Sequence, residues 1–97
     1  MGLTSADRKE LESLIKAAAQ DPKIPVGLAR KMMPSQGDIE DFAYGLVSGM
    51  VIGNFTSLFQ SRNGRELDRD EIADLFSILM TRMPRLRMSI MKHLAFR

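Results

Sequence analysis

Cysteine is absent from the 97 residues. That excludes disulfides, thiolate zinc sites and a cysteine nucleophile at once, and with them a disulfide-stapled secreted mini-domain. Histidine occurs once, as His93, in a basic segment whose nearest preceding acid is Asp74. A general base needs an orienting partner and a nucleophile or substrate within reach, and nothing in the sequence nominates either. Glycine-rich phosphate loops, nucleophile elbows and zincin motifs are missing, as are the paired Glu-x-x-His motifs of a bundle metalloenzyme. Around Asn63-Gly64 a calcium loop fails because placing Gly64 at its sixth position puts Phe59 at the first, where an oxygen ligand is required. The chain is therefore expected to be no enzyme and to hold neither cofactor nor metal.

Net charge is also small, but unevenly distributed. The net charge is +2, yet no acid follows Asp74, and Arg82, Arg85, Arg87, Lys92 and Arg97 make the final segment locally basic. Those five residues are candidate phosphate contacts for a nucleic acid. Arg85, Lys92 and Arg97 are not expected to share one helical face, and Phe96 is the only aromatic nearby. Cations near a helix C-terminus, or a solvated helix face, explain the same residues without a ligand. Charged residues stand where a signal peptide would have its apolar stretch, so a cytoplasmic location is expected.

What the chain does have is helical periodicity, with 44% apolar residues, the level of an ordinary globular protein. Leu11, Leu14, Ile15 and Ala18 recur at the spacing of one helical face. Thr4 or Ser5 is placed to cap that helix, and Asp21-Pro22 to stop it near Gln20. A short helix from Pro25 through Met33 follows. Ser35 and Asp38 resemble a capping box for a long helix over residues 38–60. Asp68 and Glu71 then open the next helix, with Leu67 stapled to Ile72 and an apolar stripe through Leu75, Phe76, Leu79, Met80 and Met83. Pro84 is expected to end or kink it, and Leu86, Ile90, Met91 and Leu94 form a last helix. The expectation is one all-α domain over residues 1–97, a compact bundle of four main helices and one short one around the 38–60 helix. Its methionines are expected to fill core.

The most unusual feature is Gly45-x3-Gly49-x3-Gly53 inside the long helix. Each glycine weakens a helix interior by about 1 kcal/mol relative to alanine. Spaced four apart, the three share one face and form a shallow groove that admits a second helix closely. Two occupants are open: the Ala17-Ala18-Ala19 end of the first helix, or the same face of a second chain, which is self-complementary across a two-fold axis. The twenty residues from Phe42 through Ser61 carry no charge, long enough to raise a membrane span. Asn54, Thr56, Ser57, Gln60 and Ser61 make the second half polar, so a buried central helix is expected instead. The functional expectation is a small, non-enzymatic, self-associating module or adaptor, a homodimer with an unidentified protein partner. Nucleic-acid binding through residues 82–97 is the alternative.

Overall fold

Thr4 and Asp7 start the first helix by satisfying each other's backbone. Thr4 Oγ1 accepts from the Asp7 N–H at 3.1 Å, and Asp7 Oδ2 accepts from the Thr4 N–H at 3.2 Å. This is a capping box with aspartate at its third position. The computed structural model describes residues 2–32 and 39–95. Among them are four helices, α1 (Ser5–Gln20), α2 (Lys23–Met32), α3 (Ile39–Asn63) and α4 (Arg69–Ala95), and no strand. The fold is an all-α bundle. The Ser35–Asp38 cap, Met33, Phe96 and Arg97 lie outside the described residues.

Local chemistry sets most helix ends. Asp21 closes α1 by donating its N–H to the Ala17 carbonyl at 3.1 Å. Its carboxylate accepts the Lys23 N–H at 3.3 Å, so one residue ends α1 and opens α2. Pro25 sits in the first turn of α2, where its missing N–H costs nothing. Asn63 ends α3 by donating its side-chain amide to the Phe59 carbonyl at 3.0 Å. Gly64 then turns the chain with φ +67°, a conformation glycine takes without a Cβ penalty.

The start of α4 is held by interlocking bonds. Asp68 Oδ1 accepts the Glu71 N–H at 2.8 Å, and Glu71 Oε1 accepts the Asp68 N–H at 2.9 Å. Arg65 adds a two-pronged bond to both Glu71 oxygens, each at 2.9 Å. The same guanidinium lies 5.1 Å from the centre of the Phe59 ring. Glu71 is buried, and the Arg65 bond, then the Asp68 backbone bond, pull its carboxyl down to about 2.

The last two expected helices are one. α4 runs through Pro84 to Ala95. Proline removes the N–H that the Met80 carbonyl would accept and crowds that carbonyl. Both residues are exposed. Beyond the proline, Leu86 and Ile90 are buried, and that apolar burial keeps the C-terminal half of α4 docked.

Packing is organised by α3. Ala43, Val47, Val51, Phe55 and Phe59, each four residues from the last, are all buried. Val51, Phe55 and Phe59 join Leu3, Leu11, Ile15 and Leu75 in one core cluster. Ala43 and Val47 join Val26, Ala29, Leu86 and Ile90 in a second. The bundle is long and narrow, 44 × 21 × 18 Å. Asp74 ties down the N-terminus by accepting from the Leu3 N–H at 2.8 Å and from Arg8 at 2.9 Å. A Cβ on Gly2 would strike that carboxylate.

Because folding lowers the Glu71 pKa from 4.5 to about 2, its charge stabilises the fold fully above pH 4.5 and progressively less as pH falls towards 2. Melting curves of the wild type and Glu71→Gln should differ most near pH 6 and converge near pH 2. A gap independent of pH would contradict the role given to this carboxylate.

Candidate functional site: the outer face of α3 and its groove with α4

The buried stripe of α3 faces the core, so residues two positions along point the other way. Gly45, Gly49 and Gly53 occupy that outer face, and all three are exposed. A Cβ built on any of them meets nothing within 4 Å among the described residues. The Ala17-Ala18-Ala19 end of α1 is thus not the occupant. Ala17 and Ala18 lie instead beside Val47, Met50, Val51 and Asn54, on the flank of α3. The physical reason is volume: the Val–Phe stripe offers far more apolar area to α1 than three glycines do.

On its other flank, α3 meets α4 along an apolar groove. One section, about 310 Å³, is lined by Tyr44, Ser48, Phe76, Leu79, Met80 and Met83. The next, about 380 Å³, runs between Ile52, Thr56 and Gln60 on α3 and Ile72, Leu75 and Phe76 on α4. Leu67 and Ile72, expected to staple the start of α4, line this same section. Ser48 Oγ is buried without a hydrogen-bond partner among the described residues. A buried hydroxyl left without a bond forfeits about 1–3 kcal/mol.

The α4 side of the groove corrects two expectations. Of the stripe read as core, Leu75 alone is fully covered. Phe76 is 51% exposed and Met80 69%, and Ile72 and Met83 are exposed as well. Met88 and Met91 are also exposed, so these methionines are surface and not core filler. Periodicity reported the stripe correctly; it carried no information on whether the chain had enough apolar partners to cover it. α3 has the same shortage. Among the described residues it is the one helix long and apolar enough, by length and composition, to cross a membrane, yet 28% of its most apolar stretch is buried.

The basic residues are not gathered into one surface. Arg82 makes a two-pronged bond to Glu12, at 2.7 and 2.6 Å, which holds the Glu12 carboxyl below its ordinary value. Arg87 donates to Glu40 at 2.8 Å and to Asp41 at 2.7 Å, and stacks 5.2 Å from the Tyr44 ring centre. Arg85, Lys92 and His93 line a cleft of about 680 Å³ against the C-terminal end of α1. Arg85 and Lys92 share a face, because seven residues of α4 make almost two whole turns; Arg97, the third of the cations expected on different faces, lies outside the described residues. Ser89 donates to the Ala19 carbonyl in the same cleft. Cations there complement the negative end of α1, which has no basic residue in its own last turn.

No protein-family model, curated protein or solved structure matches the chain.

With open space at each glycine, Gly53→Ala should raise the stability of the dilute, monomeric chain by about 1 kcal/mol, the helix-interior difference between the two residues. Thermal melts at low micromolar concentration test this. A destabilised variant would mean the outer face is filled within the chain after all.

Proposed function

We propose that this protein is a small, non-enzymatic helical interaction module that self-associates through the outer face of α3 and its groove with α4. The observation that carries the reading is uncovered surface. A folded monomer of 10.9 kDa ordinarily exposes about 5,600 Å², whereas this chain exposes 6458 Å². The excess is close to the roughly 800 Å² that each partner contributes to an interface of standard size. Part of the exposed surface is a face of glycine, Tyr44, Ile52, Phe76, Met80 and Met83, aromatic and methionine side chains of the kind enriched in interface cores. A second copy would cover the face without lengthening the chain. The same cover would make α3 a core helix of an assembly in water and not a membrane span.

Nucleic-acid binding is the second reading, and Arg85 and Lys92 in their shared cleft favour it. Arg82 and Arg87 support it less, since each would have to leave a carboxylate to reach a phosphate.

Sedimentation from micromolar to about 1 mM should report a reversible dimer. Gly49→Leu should leave the protomer folded, since the side chain enters open space, but abolish the dimer by holding the helices apart. A wild type that stays monomeric throughout, or a Gly49→Leu variant that dimerises equally well, overturns the proposal. A labelled duplex or single strand shifted at low salt, with a binding slope that Arg85→Ala flattens by about one, would favour the second reading.

A further inference from the structure

The self-association reading leaves the arrangement of the two copies open, and the following rests on that reading. We infer that two copies pair antiparallel about a two-fold axis passing Gly49, with the outer face of each α3 against the other and each groove edge of Phe76 and Met80 flanking the partner.

Symmetry gives the first argument. In a two-fold pair, if position i of one copy meets position j of the other, then j meets i. The outer face of α3 is symmetric about Gly49 in this sense: reversing the helix carries Gly45 onto Gly53 and leaves Gly49 on itself. Continuing the register outward brings Phe42 opposite Thr56 and Asp41 opposite Ser57. Gly45 to Gly53 spans about 12 Å of helix, and over that length no Cβ keeps the backbones apart. The axes can then approach closer than the usual 8–10 Å. Where the glycines end, larger side chains take over the contact on both sides. The groove beside them receives the partner's flank.

Charge gives the second argument, and it chooses the direction. α3 carries Glu40 and Asp41 in its first turn and Arg62 in its last. A parallel pair would set Glu40 and Asp41 beside their own copies and Arg62 beside its own, and would align the two helix dipoles. The antiparallel pair sets the net-acidic Glu40, Asp41 and Arg87 cluster of each copy by the neutral Arg62–Glu10 pair of the other, and so keeps the two acidic clusters apart. Arg87 and Glu10 already bond these ends within the chain, so the antiparallel arrangement asks no existing ion pair to break.

The absence of cysteine makes the geometry directly testable. A disulfide needs Cα atoms about 4.4–6.8 Å apart. Under mild oxidation Gly49→Cys should cross-link to itself. Gly45→Cys and Gly53→Cys should each remain uncross-linked alone and cross-link when mixed. Self-cross-linking of Gly45→Cys or Gly53→Cys would overturn the antiparallel pairing. Ser57→Cys carrying a nitroxide tests the same point without touching the glycines. The pairing places its two labels about 24 Å apart along the helix axis, whereas a parallel pair brings them together. Sedimentation of the unlabelled wild type separates the two failures. A dimer with the wrong distances sinks this geometry alone, and a monomer sinks the self-association reading along with it.

Discussion

Five apolar residues repeating every fourth position on α3 impose the rest of the architecture. Four residues turn a helix by about 400°, so such a stripe drifts by about 40° at each step and winds slowly around the helix. Its C-terminal half, Val51, Phe55 and Phe59, faces α1 and the start of α4. Its N-terminal half, Ala43 and Val47, faces α2 and the end of α4. One helix therefore serves two core clusters in succession, and the bundle is long because α3 and α4 have to reach both. Phe55 and Phe59, with ring centres 6.3 Å apart, give the larger cluster its volume.

The cost of that arrangement appears on the opposite side. α3 is apolar nearly all round, and among the described residues α1, α2 and α4 are what cover it. Those three occupy the stripe and its flanks, and the glycine face is left over. α4 is in the same position: Leu75, Leu86 and Ile90 are buried while Phe76 and Met80 are not. Both of these shortages fall along the same groove, while Ile24, Met32 and Met88 leave further apolar surface exposed elsewhere. The cations, meanwhile, are largely spent on holding the bundle together. Arg65 secures the start of α4, Arg82 joins α4 to α1, and Arg87 joins α4 to α3.

Features governed by neighbours in sequence were legible from it. The Asp68–Glu71 cap, the stop before Pro22 and the helical class all follow from bonds or sterics within a few residues. Of the end or kink expected at Pro84, the end does not occur, because the local cost is outweighed by burial of Leu86 and Ile90, which depends on α2 and α3. Arg82–Glu12 and Arg87–Glu40 join residues 70 and 47 positions apart, so no pattern along the chain announces them. The glycine stripe was legible as a face but not in its direction. Gly45-Gly49-Gly53 and Ala43-Val47-Val51 have the same spacing, and spacing alone does not say which faces the core. The exposed row of α4 had no signal at all, since its periodicity is that of an ordinary core helix.

The central claim is that a second copy covers the outer face of α3 and its groove with α4. Isotope-filtered nuclear Overhauser spectroscopy on an equal mixture of ¹³C-labelled and unlabelled chains tests it most directly, because it records only contacts between copies. The account predicts cross-peaks from the α-protons of Gly45, Gly49 and Gly53, and from Phe76 and Met80, to the unlabelled copy. A filtered spectrum empty at those positions at about 1 mM, with the fold intact, would contradict it.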